Sequence, residues 1–238
     1  MRLRLTREIL LDMDSRLRAA VDASLRWYAD VFALHGLRTV DTASLWIALD
    51  PPPPYHSAVK TRVPGVPAAS VLAAMERHPH GTVADSFGDL DLTGHGFTEL
   101  FTATWLHRSP SRPSARLSLT PWSRVTGEND LLDWNAGHDT AQVLVPRILG
   151  DDRFRILARH QGGRLTGGMV LHDAGPTAGL SNAWSETGTE PVNGDEAVAL
   201  AEREFPGRSV SDFASGPEAA ALVRAGFVEL GLQRVWIR

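Results

Sequence analysis

The order of short hydrophobic segments from Phe154 to Arg238 constrains this chain most, because two structural periods alternate there and turn-forming residues separate them. Residues 154–160 (FRILARH) alternate apolar and polar side chains, Gly162 and Gly163 supply a turn that tolerates positive φ, and residues 164–172 (RLTGGMVLH) return as the hairpin partner. Gly175 and Pro176 turn the chain again into a strand at 177–186 (TAGLSNAWSE). Asn193 or Asp195 can cap a helix whose Ala197, Leu200, Ala201 and Phe205 share one face, and Pro206-Gly207 stops it. Residues 210–214 read as a short strand, and Ser215 with Glu218 has the spacing of a capping box. Leu222 and Ala225 face inward, Gly226 stands where a helix end calls for a left-handed residue, and residues 227–237 (FVELGLQRVWI) form a last strand.

The earlier part of the chain shows a second pattern of the same kind. Residues 6–34 carry apolar side chains at helical spacing, with Gly36 as the stop. Residues 44–49 (SLWIAL) suit a buried strand, and Pro51 to Pro54 impose a stiff extended segment without amide donors. A strand is expected at 55–63, a helix at 66–77 with Val71, Leu72 and Met75 inward, and a strand at 82–87. A short helix at 89–95, capped by Asp89 and Asp91, leads into a long strand at 97–107 (FTELFTATWLH). Gly96-Phe97 repeats Gly226-Phe227, each pair closing a helix and opening a strand, as an internal half-repeat would give. Residues 109–113 (SPSRP) form the best linker, residues 116–119 can open a second part, and 128–135 and 140–149 read as its first helices. The expected division is 1–110 and 114–238.

This order, with the closing run AALVRAGFVELGLQRVWIR and Ala225-Gly226-Phe227 at its junction, resembles the second half of the GNAT superfamily of acyl-CoA N-acyltransferases. Residues 46–108 resemble the half-domain that certain two-part members carry in front of a complete one. The resemblance implies an α/β fold, each part built on a mixed, mainly antiparallel sheet flanked by helices. The two sheets can join edge to edge, since the half-repeat would otherwise leave strand edges bare. It also implies a transferase: acetyl-CoA or another acyl-CoA as co-substrate, and an amine of a small molecule or a protein as acceptor. Pantetheine would lie along the strand at 178–186, which places Leu180, Ser181, Asn182, Ala183 and Trp184 at the cofactor. Glu186, at the end of that strand, is the best-placed carboxylate to take a proton from the amine, and Asp212 on the next strand is the other. Against those roles stand a solvated strand end for Glu186 and an ion pair with Arg208 or Arg234 for Asp212.

Two departures accompany the resemblance. The loop at 187–194 (TGTEPVNG) should cradle a diphosphate, yet it lacks arginine, glutamine and the glycine spacing, carries Glu190 and loses a donor at Pro191. The only tyrosines are Tyr28 and Tyr55, so the helix at 216–225 has no hydroxyl to protonate a leaving thiolate. Two readings therefore stand: an acyl-CoA-dependent N-acyltransferase, or a catalytically inactive protein of the same fold that binds a small molecule or a protein partner.

Composition excludes other classes. A net charge of -4, a single lysine at Lys60 and arginines scattered along the chain argue against a nucleic-acid partner. The absence of cysteine rules out disulfides, thiolate metal sites and a thiol nucleophile. His78 and His80 lack the helical spacing of a metal pair, no metal site is expected, and His160 and His172 read as a surface pair on the hairpin. The first residues are too charged for a signal peptide and no run spans a bilayer, so a cytoplasmic protein without membrane contact is expected, with a homodimer allowed.

Overall fold

The computed structural model describes residues 2–110, 121–189 and 191–238. α1 (Arg2–Leu34) is one long helix whose Val21, Leu25, Tyr28 and Phe32 are buried along a single face. Gly36, with φ at 68°, lets the chain turn away from it. Three short strands follow, β1 (Thr39–Asp41), β2 (Leu45–Ala48) and β3 (Val59–Thr61). α2 (Ala68–Met75), β4 (Thr82–Asp85) and β5 (Thr98–Arg108) complete this part. Then come β6 (Trp122–Arg124), α3 (Glu128–His138), β7 (Phe154–Gln161), β8 (Arg164–Asp173) and β9 (Thr177–Ser185). The last elements are α4 (Gly194–Glu204), β10 (Ser209–Ala214), α5 (Gly216–Arg224) and β11 (Val228–Ile237).

The strands among the described residues form one sheet in the order β1-β2-β3-β4-β11-β5-β10-β9-β8-β7-β6. Neighbours are antiparallel except β3 with β4 and β9 with β10, which are parallel and joined by α2 and α4 as crossover helices. This is the mixed, mainly antiparallel α/β fold expected. Side chains alternate between its faces: Trp46, Trp105 and Phe213 meet α1 on one, and Leu106, Val210 and Ala214 meet α4 and α5 on the other.

The half-repeat is visible in the order of pairing. β3-α2-β4 and β9-α4-β10 are two copies of one unit, each followed by a helical turn, a Gly-Phe junction and a long strand. Gly96 and Gly226 take left-handed φ angles of 78° and 90°, and Phe97 and Phe227 are buried beside them. The long strands are exchanged between copies. β5 pairs with β10, β11 pairs with β4, and the two pair with each other from Val228 opposite His107 to Ile237 opposite Thr98. The sheets thus interleave rather than meeting edge to edge. The linker expected at 109–113 falls partly, and the strand at 116–119 wholly, outside the described residues.

Several local expectations are corrected. Residues 140–149 hold no full helix, only a 3-10 turn at Pro146–Gly150, because Pro146 removes a helix donor. Residues 89–95 likewise make one 3-10 turn at Thr93–His95, and Asp89 instead accepts the Gly65 amide at 2.7 Å. The strand expected from Tyr55 begins at Val59, since Tyr55 sits in a turn with φ at 64°. Ser215 caps α5 by position, but its side chain makes no cap bond and no capping box forms with Glu218. His172 lies opposite Phe154, away from His160, and is buried with Nε2 2.8 Å from Asp30 Oδ2.

Lys60, the only lysine in the chain, is fully buried in β3. Its Nζ donates to Gln233 Oε1 at 2.8 Å and lies 5.2 and 5.3 Å from the ring centroids of Tyr28 and Trp105. Burial pushes the ammonium down to about 7, with Asp85 opposing the shift. An unfolded chain holds this amine near its ordinary value of about 10.4, so between those limits the unfolded state binds more protons and stability rises with pH. Denaturant unfolding between pH 7 and 9 should show this rise, at most about 1.4 kcal/mol per pH unit from this one group. Lys60→Met should flatten it; a variant with the parent's pH dependence would show that Lys60 keeps its charge in the fold.

Candidate functional site

The parallel ladder between β9 and β10 runs only from Thr177 opposite Ser209 to Gly179 opposite Ser211. Beyond it the strands part. On its other side β10 stays paired with β5 as far as Ala214 opposite Thr104, so β9 is the strand that bends away. The cause is a bulge: the β8–β9 register shifts between Gly168 and Val170, and Asn182 takes φ at 51°. Two glycines make room for the bend. A Cβ on Gly168 would lie 2.2 Å from Trp134 Nε1, and one on Gly137 would lie 2.1 Å from the Trp184 ring. Trp184 packs edge to face on Trp134, centroids 5.8 Å apart, and stacks on His138 at 6.2 Å.

A space opens on each face of the sheet at this gap. Under α1 is a cavity of about 320 Å³ with aromatic walls from Trp27, Tyr28, Tyr55, Trp105 and Phe213. On the α4 and α5 side is a groove of about 970 Å³ running along 184–189 and past the start of α4. Leu180, Ala183, Asp212 and Glu218 border both. The non-glycine residues with positive φ among those described are Tyr55, Asp139 and Asn182. Tyr55 and Asn182 line the cavity, and Asp139 follows His138 at its edge, where it accepts from the Tyr55 hydroxyl at 3.3 Å. Backbone strain of this kind collects at functional sites.

Asp212 is 8% exposed, and its carboxylate accepts the Phe213 amide at 2.7 Å. Neither arginine considered as its partner is there: Arg208 binds Asp173 at 2.6 Å and Arg234 binds Glu99 at 3.0 Å. Burial without a cation pushes the Asp212 carboxyl well above the usual carboxylate range, and the charge of Glu218 pushes it further. Glu218 is open to solvent, yet its carboxyl is covered enough to be raised as well. Leu180, Ser181, Asn182 and Ala183 lie at the parting of the strands with Asp212, and Trp184 lies in the groove beyond. Glu186 is farther along the groove and does not line the cavity; its carboxylate accepts from Arg164 at 2.7 Å on an exposed rim. Sequence reasoning missed Glu218, whose spacing from Ser215 pointed to a cap, and the aromatic cavity walls, which come from three separate elements and a loop.

The first turn of α4 is where a diphosphate would rest in a fold of this kind, and here it is already filled. Asn193 Oδ1 accepts the Glu196 amide at 2.8 Å and Glu196 Oε2 accepts the Asn193 amide at 3.3 Å, a closed capping box. The Val192 amide is taken by Ser185 Oγ at 2.9 Å. The Glu196 carboxylate is held by Trp122 Nε1 at 3.1 Å and by Arg159 at 3.5 Å. Gly194 is pressed against α5, its would-be Cβ 2.6 Å from the Ala221 carbonyl oxygen. With the Val192, Asn193 and Glu196 amides used internally and Asp195 and Glu196 adding negative charge, these residues do not fit the diphosphate of coenzyme A. Glu190, named from the sequence as a further opposing charge, lies outside the described residues.

No family model matches the chain, and no curated protein matches it in sequence. Solved structures do match in fold. A GCN5-related N-acetyltransferase from Kribbella flavida is 14% identical, with 92% of this chain and 94% of that one covered at a TM-score of 0.62. A GCN5-related N-acetyltransferase-like protein from Streptococcus suis 89/1591 is 12% identical over 94% of this chain and 99% of that one, at 0.53. A GCN5-related N-acetyltransferase from Sphaerobacter thermophilus is 11% identical over 84% and 82%, at 0.50. The chain has the fold of the GCN5-related N-acetyltransferases. Among the described residues no helix is long and apolar enough to cross a membrane.

The Asp212 environment has a measurable cost. An unfolded aspartate titrates near 3.9, so as pH rises past that value the folded chain keeps a proton that the unfolded chain has lost, and stability falls. Asp212→Asn should therefore melt above the parent at pH 8, with the gap closing toward pH 4. A parent that is the more stable of the two at pH 8 would mean that Asp212 is ionised and well paired.

Proposed function

We propose that the chain is an N-acyltransferase acting on a small amine. The observation that carries this reading is the convergence of two spaces, one from each face of the sheet, on Asp212 and Glu218. Binding one molecule needs one pocket, whereas transfer between two needs both held at one point. The acyl donor, a thioester, enters along β9 by the groove, and the amine enters by the cavity under α1. The amine nitrogen bonds to the carbonyl carbon, the carbon–sulfur bond breaks, and the nitrogen sheds a proton. Asp212 takes that proton, and the environment that raises its pKa makes it a stronger base than an ordinary carboxylate. Glu218 adds negative charge beside it and keeps that proton affinity high.

The start of α4 bears on the donor. Since it does not fit a diphosphate, a coenzyme A thioester would draw its affinity from the pantetheine arm and the acyl group. The same closed terminus favours a second reading, in which the cleft binds a small molecule and transfers nothing.

Free-thiol release from acetyl-CoA or S-acetylpantetheine, measured with a panel of primary amines, separates the two. Release should require the amine and rise with pH as Asp212 ionises. Asp212→Asn should lose about 10²- to 10⁴-fold of it. Glu186→Gln, whose carboxylate is engaged by Arg164, should retain more turnover than Asp212→Asn. Absence of amine-dependent release from both donors would leave the binding reading.

A further inference from the structure

The groove beside α4 already contains an anion of its own. Arg159, on β7, lines the groove wall and is only 3% exposed. A guanidinium does not shed its proton inside a fold, so a buried one needs a negative partner. Glu196 supplies it at 3.5 Å. The same Glu196 oxygen accepts the Asn193 amide, and the other accepts Trp122 Nε1 at 3.1 Å. Arg159 in turn lies over the Trp122 ring, 5.8 Å from its centroid, and donates to Ser185 Oγ at 3.2 Å, the oxygen that also takes the Val192 amide. That leaves the amides of Gly194 and Asp195, in a turn that carries two carboxylates. Arg224 also borders the groove, but it is exposed in the last turn of α5, where water and salt screen its charge. What the groove offers instead is backbone. β9 pairs with β10 only as far as Gly179, so from Leu180 to Ser185 it is bonded to β8 alone, and Leu180, Ala183, Trp184 and Ser185 line the groove. A bare strand edge of this kind pairs with an extended ligand that carries amides.

We infer that the groove takes a thioester of a pantetheine-type arm without the nucleotide diphosphate, and that Glu196 is the resident anion that keeps the diphosphate out. A diphosphate reaching Arg159 must either displace Glu196, leaving a mostly buried carboxylate without its cation, or lie beside that carboxylate as a further negative charge. An uncharged arm meets neither cost, since its amides pair along β9 and its thioester end reaches the gap at Leu180 and Asp212. That this arm delivers the acyl group rests on the transfer reading; the preference for an arm without the nucleotide does not. Two sources present this chemistry, a small free thioester and an arm joined to a carrier protein through a single phosphate.

Isothermal titration of the full chain with S-acetylpantetheine, S-acetylphosphopantetheine and acetyl-CoA tests the inference without any amine. S-acetylpantetheine should bind at least as tightly as acetyl-CoA. The phosphorylated arm distinguishes the sources: binding equal to that of S-acetylpantetheine points to a carrier-borne arm, and weaker binding to a free thioester. Glu196→Gln keeps the capping box, which glutamine also closes, and removes only the charge. It should raise the affinity for acetyl-CoA relative to S-acetylpantetheine by at least about tenfold, a difference of about 1.4 kcal/mol, and adding Arg159→Gln should cancel that gain. A Glu196 that served as a cap alone would leave the ratio where it was. Tighter binding of acetyl-CoA by the parent, no binding of either thioester, or a ratio that Glu196→Gln does not move would overturn the inference. A parent preference for acetyl-CoA that disappears in Arg224→Ala would overturn it too, by placing the diphosphate on α5. Should Glu196→Gln not fold, the parent's order of affinities decides. Preferred binding of S-acetylpantetheine without amine-dependent thiol release would leave the inference standing and remove the transfer reading. Amine-dependent release from acetyl-CoA, with acetyl-CoA the tighter ligand, would do the reverse.

Discussion

β5 and β11 are hydrogen-bonded to each other along almost their full length, and each is also bonded to a strand from the other copy of the repeat. Neither β4 nor β10 has a partner on its inner edge until the opposite copy supplies one. An unpaired edge of that length at the centre of a sheet would leave a row of backbone donors and acceptors unsatisfied. The two copies therefore share one set of backbone bonds, and Lys60, reaching from β3 to Gln233 on β11, ties the exchange to the core beneath α1. The Gly-Phe junctions make this possible: left-handed glycines end the helical turns, and the buried phenylalanines set where each long strand begins.

The opening at Asp212 follows from that arrangement. Because β5 holds β10 along its whole length, the sheet can separate only on the β9 side, and there the bulge at Asn182 turns β9 away. The bend is filled from behind by Trp134 and Trp184 in the space that Gly137 and Gly168 leave vacant. Rigid packing on one side and an unpaired gap on the other is how a sheet can hold a cleft open without a flexible loop. A carboxylate in that gap is held away from its preferred charged state, which the surrounding packing must offset.

The site was legible in the sequence where it depended on strand position. Asp212 and the run from Leu180 to Ala183 could be placed because the order of strands and helices locates the gap. Glu218 could not, since its spacing from Ser215 is equally that of a capping box, and only the direction taken by α5 sends it toward Asp212. Arg208 and Arg234 illustrate the converse: both were near enough in sequence to neutralise Asp212, and Asp173 and Glu99 claim them instead. The closed start of α4 was half visible, as an unfavourable loop composition; that Glu196 folds back into the anion position, held by Trp122 and Arg159, was not.

Local physics settled the elements: periodicity marked the long helix and the hairpin, glycines marked the junctions, and proline limited the helices after Thr140, though that last effect became plain only in the fold. Those are interactions among residues a few positions apart, which a linear chain displays directly. The exchange of β5 and β11, the Arg159 pair with Glu196, and the lysine behind the cavity wall join residues separated by up to 173 positions. Contacts of that range depend on which faces and edges meet once the sheet has closed, and pairing geometry and burial decide that in three dimensions.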